Sequence, residues 1–128
     1  MTQENKELLL KDLCTRLPYE VKVCCNNTVY NIDAYTKSAF MLAEPLKPDV
    51  CIVAYIEEVK PYLFPLSSMT DEQKEEYHYN CNVGLNRWGN EVYYDCVESI
   101  DWLNTHHFDY TGLIEKGLAL DATGLNIY

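Results

Sequence analysis

The sequence predicts an α+β fold. It is expected as a single domain over residues 1–128: a curved antiparallel sheet of about four strands, one helix before it, and a short exposed helix and a C-terminal helix-turn-helix corner after it. Three observations carry that expectation. Apolar residues recur at helical spacing over 4–17, alternating β-branched and aromatic runs joined by short turns fill 19–56, and the helical period returns beyond residue 70 and again from about residue 91. A chain of 128 residues can bury one sizeable core, and its 48% apolar content with no low-complexity tract argues for a folded chain.

In ENKELLLKDLCTRL (4–17), Leu9, Leu10, Leu13, Cys14 and Leu17 share one helical side with the charges opposite, and Pro18 stops the helix because its ring cannot follow on inside one. YEVKVCCNNTVYNIDAY (19–35) predicts a hairpin. Asn26-Asn27 tolerates the positive φ of a two-residue turn, which pairs Cys25 with Thr28, Val23 with Tyr30 and Val21 with Ile32 on one face. Glu20, Lys22, Asn31 and Asp33 fall on the other. Ser38 to Glu44 and Val50 to Ile56 supply two further strands around a loop holding Pro45 and Pro48, and connections this short require antiparallel neighbours. Residues 57–66 carry Pro61 and Pro65 among Tyr62, Leu63, Phe64 and Leu66, which predicts a short helical turn laid across one end of the sheet.

Thr70 followed by Gln73 is a capping-box pattern, so a helix of about ten residues starts there. Its body, DEQKEEYHY, has almost no apolar stripe and is expected to be exposed. Residues 80–90, with Gly84, Gly89 and several asparagines, predict turns around one short strand. From Glu91 onward Val92, Cys96, Ile100, Leu103 and His107 form one helical stripe with Trp102 toward its edge. Asp109 is placed to cap a second helix whose apolar side is Leu113, Ile114, Gly117 and Leu118.

The formal net charge of −10 is unevenly spread: residues 1–50 hold seven acids and six bases, whereas 57–109 hold eleven acids and three bases. Such a surface repels phosphates and lipid headgroups, so neither direct nucleic-acid binding nor membrane binding is expected, and it steers toward basic partners. The same excess also keeps a small protein soluble, and both readings stand. The longest apolar runs, such as Val50 to Ile56, fall far short of the roughly 20 residues that span a bilayer. MTQENKELLLKDL at the start lacks the basic region and long apolar core of a secretory signal, so a cytoplasmic protein is expected. The six cysteines (14, 24, 25, 51, 81 and 96) are then expected to be reduced, most of them as small buried apolar residues.

KDLCTRLPYEVKV (11–23), EEVKPYLFPLSSMTDEQKEEY (57–77) and WLNTHHFDYTGLIEKGLALDA (102–122) occur in this order and cover roughly half of the chain. Together they resemble a family of small uncharacterised proteins encoded by Bacteroides-type gut bacteria and their phages or mobile elements. The resemblance implies an accessory protein of phage or mobile-element origin working in the bacterial host cytoplasm. It brings no activity, ligand or catalytic residue with it.

The best metal-like cluster is His106-His107 with Asp109, since imidazole and carboxylate suit zinc. Adjacent helix positions diverge by about 100°, however, and a further ligand would have to come from Cys81, His78 or Cys96. The competing structural reading puts His107 on the apolar stripe, His106 at a helix C-terminus where its charge is favoured, and Asp109 in a cap. No Gly-rich phosphate loop, paired-carboxylate motif or local cysteine-histidine signature is present, so no cofactor and no enzymatic activity are expected. Eleven tyrosines without a basic groove do not make a base-stacking surface. The leading expectation is a non-enzymatic protein whose acidic second half, with Glu91, Asp95, Glu98 and Asp101 prominent, binds a basic surface on a host or defence protein, in the manner of a nucleic-acid mimic. The alternative is a small-ligand or metal site at Trp102, His106, His107 and Asp109. A third reading makes that corner a packing surface of a homo-oligomer.

Overall fold

A computed structural model describes all residues except 37, 38, 81, 82, 86, 90 and 94–96, and no side chain at 48, 78–80, 83–85, 91–93, 97 or 98. In chain order the elements are α1 (Gln3–Arg16), β1 (Lys22–Cys25), β2 (Thr28–Thr36), β3 (Ala39–Glu44), β4 (Lys47–Tyr55), β5 (Lys60–Pro65), α2 (Asp71–Asn80), β6 (Val83–Leu85), β7 (Glu91–Tyr93), α3 (Val97–Thr105), β8 (Phe108–Asp109) and β9 (Leu120–Asp121). Short 3-10 turns at Leu17–Tyr19, Ile56–Glu58 and Leu66–Ser68 link some of them. The α+β class holds, but the sheet differs from the expected one. It has seven strands rather than about four and is mixed and open, ordered β4-β3-β2-β1-β5-β8 with β9 also on β5; β6 and β7 form a separate pair.

α1 starts at Thr2, whose Oγ1 accepts from the Asn5 amide at 3.1 Å, and its buried face is Leu9, Asp12, Leu13 and Arg16. Cys14, expected on the apolar side, is exposed. Pro18 turns the chain through the first 3-10 turn, and Glu20 at φ 58° completes the reversal into β1.

The hairpin forms in the expected register. Asn26 and Asn27 have φ of 51° and 61°, Cys25 faces Thr28 and Val23 faces Tyr30. β2, β3 and β4 continue the antiparallel meander. β4 begins at Lys47, earlier than expected, because an edge strand tolerates Pro48.

The main correction is β5, which takes the place of the expected helical turn. It pairs antiparallel with β1 (Val23 opposite Pro61) and parallel with β8 (Phe64 opposite Phe108) and β9 (Tyr62 opposite Leu120). The Leu63 carbonyl accepts from the Ala122 amide at 2.9 Å, whereas the Phe64 amide donates to the His107 carbonyl at 2.8 Å, so β9 and β8 lie on opposite edges of β5. Pro61 and Pro65 share the parity of Leu63. Both ring nitrogens therefore face the β9 edge, where among the described residues the pairing is at Tyr62 and Leu63, so no donor is lost from that ladder.

The expected helix-turn-helix corner is also replaced. The strand β7 occupies the start of the expected long helix, and α3 spans nine residues only. Beyond β8, Gly112 and Gly117 at φ 79° and 72° break helical continuity, and the chain closes as turns through the Leu118 amide on the Leu113 carbonyl at 2.9 Å. Residues 80–90 hold the one short strand expected there, β6, which pairs antiparallel with β7.

The main core packs α1 (Leu9, Leu13) against Val23, Phe40, Leu42 and Leu63 on one side of the sheet. A second cluster gathers Trp102, Leu103 and Phe108, with Tyr77 and Met69 against it. Of the described cysteines only Cys25 is buried, Cys24 is half-buried and Cys14 and Cys51 are exposed, while Cys81 and Cys96 lie outside the described residues. Among the described residues no helix is long and apolar enough to cross a membrane.

Candidate functional site

The end of α3 decides where the two histidines go. The His106 amide donates to the Trp102 carbonyl and the His107 amide to the Asn104 carbonyl, both at 3.1 Å, and His107 takes φ 61°, the left-handed conformation that stops a helix. The two rings then part. His106 lies on Trp102, centroids 4.1 Å apart, with Nδ1 2.9 Å from the Trp102 carbonyl oxygen, and borders a cavity of about 190 Å³ with Phe64, Ser68, Gln73 and Phe108. His107 lies on Tyr128, centroids 3.6 Å apart, and borders a different cavity of about 330 Å³ with Pro18, Tyr19, Glu20 and Thr105.

Asp109 is committed to the backbone. Its carboxylate accepts from the amides of Gly112 and Leu113 at 3.0 Å and Ile114 at 2.9 Å, the capping role expected of it, although what it caps is a run of turns. His106, His107 and Asp109 thus do not converge, and no group of three or more His, Cys, Asp or Glu among the described residues could hold a metal ion. His78 lies on α2 with its side chain outside the described set.

Beneath the junction is a buried polar network that periodicity did not disclose. Arg16 has no exposed surface; its Nε donates to Asp12 Oδ1 at 2.5 Å, its Nη2 to the Phe108 carbonyl at 2.8 Å, and its guanidinium lies 4.7 Å from the centre of the Tyr110 ring. Thr111 donates to Asp12 Oδ2 at 2.8 Å and Tyr110 to the buried Asn104 at 2.9 Å. Arg16 of α1, Phe64 of β5 and Phe108 of β8 meet here. Burial first, then the Arg16 charge, pushes the His107 pKa down to about 4, so its ring is a neutral imidazole at pH 7.

Tyr128 completes the junction. The Lys22 amide donates to its hydroxyl at 2.9 Å and the hydroxyl donates to the Tyr62 carbonyl at 2.7 Å, so a phenol bridges β1 and β5 where their direct pairing ends. Burial pushes its pKa up to about 12. The network's chemistry is that of a tie between α1, β5 and the last third of the chain.

The acidic residues of α2 lie apart from this tie. On α2, Asp71, Glu72, Glu75 and Glu76 are exposed, with Lys74 the base among them, 4.0 Å from Asp71. The helix is anchored by Tyr77, centroid 5.4 Å from Trp102, and by Glu76, which accepts from the Trp102 indole at 3.1 Å. Trp102 itself is buried. Asp101 is exposed and accepts from the Tyr19 hydroxyl, a bond that raises the Tyr19 pKa. Glu91 and Glu98 lie on β7 and α3 with side chains outside the described set, and Asp95 lies outside the described residues. Comparison of the chain with protein-family models, with curated proteins and with solved structures finds no match.

Proposed function

We propose that this chain is a non-enzymatic, small acidic accessory protein of phage or mobile-element type that binds a basic surface on a host or defence protein. The contact surface is the acid face of α2, extended by Asp101 on α3. The observation that carries this reading is the exposed carboxylate set of α2. Asp71 with Glu75 and Glu72 with Glu76 stand four residues apart, so neighbouring carboxylates repel along the helix, a cost of about 0.2–0.5 kcal/mol per pair. A capping box and the Trp102 contact hold this self-repelling row in place, and a row of fixed negative charge is what a phosphate-binding surface recognises.

The test compares the native protein with a variant carrying Asp71→Asn, Glu72→Gln and Glu75→Gln as bait in host lysate, at about 50 mM and about 500 mM salt. A basic partner held by the native protein at low salt, lost at high salt and lost by the variant is expected. Recovery of nothing at low salt, or equal retention by the variant, counts against the reading.

A further inference from the structure

The cavity of about 190 Å³ that His106 borders is lined from β5, β8 and the first turn of α2. Phe64 and Phe108 give it apolar walls, and Phe108 is buried. Its size suits a single ring, since an apolar cavity of about 150 Å³ takes benzene and drug-sized ligands need about 300 Å³ or more.

Polar groups in its wall have their roles fixed by the hydrogen bonds they already make. The Trp102 carbonyl can only accept, so His106 Nδ1, 2.9 Å away, carries the ring proton. One face of the ring lies on Trp102 and its Nδ1 edge is taken, so the edge left to meet the cavity is that of Nε2, a bare acceptor in the neutral imidazole. Gln73 commits Oε1 to the Thr70 amide at 2.9 Å, which leaves its side-chain NH₂ as a donor. The Ser68 hydroxyl donates to the Pro65 carbonyl at 2.7 Å and so offers the cavity lone pairs only. Among the described residues His106 is the one metal-ligating side chain on this wall, so the site suits an organic ligand. Such a ligand must bring a donor to His106 and an acceptor to Gln73, on a body that packs against aromatic rings.

We propose that this cavity binds a free single-ring amide, a planar ring with an N–H beside a carbonyl, as in a pyridone or a pyrimidine base. The ring N–H donates to His106 Nε2, the carbonyl accepts from the Gln73 side-chain amide, and the ring packs on Phe64 and Phe108. Asp71 and Glu72, exposed in the same turn of α2 as Gln73, repel a phosphate carried by such a ring, which favours the free form over a nucleotide. The site includes none of the carboxylates of the partner-binding face, so the two readings stand or fall separately.

A ligand this small is expected to dissociate on the order of 0.1–1 mM. Titration of the isotope-labelled protein with 2-pyridone to about 10 mM, at about pH 8 to favour neutral imidazole, reads binding by NMR at the Trp102 indole and the Gln73 side chain. Both signals should shift together and saturate. The N-methyl derivative, the same ring without its N–H, should bind about tenfold more weakly or less, because it leaves Nε2 unpaired. Gln73→Glu keeps an acceptor for the Thr70 amide but turns the donor into a second acceptor, and His106→Phe keeps a ring on Trp102 but removes Nε2. Each should weaken 2-pyridone about tenfold while the amide signals of β1 and β2 stay where they are. No shift at about 10 mM, equal affinity for the methylated ring, or shifts confined to another part of the molecule overturns the proposal. So does native affinity in both variants.

Discussion

A guanidinium with no exposed surface depends on its buried partners, and Arg16, held through Nε and Nη2, shows what they cost to disturb. Replacing it by Met leaves the Asp12 carboxylate buried with Thr111 as its remaining side-chain donor, and a loss of about 3–5 kcal/mol in urea unfolding is expected. The double variant Asp12→Leu/Arg16→Met should lose less than Arg16→Met alone, since no charge is then stranded; equal losses would mean the pair is not coupled. The charges of this helix were expected opposite its apolar side, whereas Asp12 and Arg16 share the buried face with Leu9 and Leu13. Their burial was not legible, because the Phe108 carbonyl and Thr111 that receive them lie more than ninety residues away in sequence. His107 gives the pH dependence at this scale. Its folded pKa of about 4 lies below the ordinary 6.5, so between those values the unfolded chain binds a proton that the folded chain refuses. Its contribution is whole above about pH 6.5, declines as the pH falls, and is gone below about 4. The ring is part-exposed, which reduces the expected loss to about 1–2 kcal/mol. His107→Phe keeps a ring against Tyr128, and its stability should fall less than that of the native protein across this window; parallel curves would remove His107 as the cause.

At the scale of elements, what was legible was what is decided locally. The Asn26-Asn27 hairpin formed in register because turn chemistry and side-chain alternation act within about ten residues. The start of α2 formed as expected for the same reason: the Thr70 amide donates to Gln73 Oε1 at 2.9 Å and the Gln73 amide donates to Thr70 Oγ1 at 3.1 Å. β5 was illegible because a proline forbids a strand only where its missing N–H faces a neighbour, and which edge that is depends on β1, β8 and β9. The turns after Asp109 were illegible because an apolar period also fits a chain that caps, turns at two glycines and returns to the sheet. α2 supplies the element-scale prediction. Thr70→Ala leaves the Gln73 amide without its side-chain acceptor and should cost α2 about 1 kcal/mol. Amide exchange in Gln73 to Tyr77 should quicken several-fold while exchange in β1 and β2 stays unchanged. Uniform quickening would show that α2 does not open separately from the sheet.

Over the whole molecule, the acid excess and the fold pull against each other. Negative charge at −10 repels itself in the compact state, and a net −3 of it sits on α2, whose apolar anchorage is a few residues around Trp102. The partner-binding and solubility readings of that charge part company on one variant. Asp71→Asn, Glu72→Gln and Glu75→Gln remove three negative charges, taking the net charge from −10 to −7. If repulsion along α2 is real, this variant melts a few degrees higher than the native protein at about 20 mM salt, and the gap closes by about 500 mM, where the Debye length falls to roughly 4 Å. A gap independent of salt would assign the gain to helix propensity, and no gap at either salt would mean that the carboxylates do not feel one another. A variant that is both more stable and unable to hold the partner shows that the protein carries a destabilising charge row for the sake of binding. A variant that is more stable, still holds the partner, but precipitates at lower concentration returns the acid excess to solubility alone.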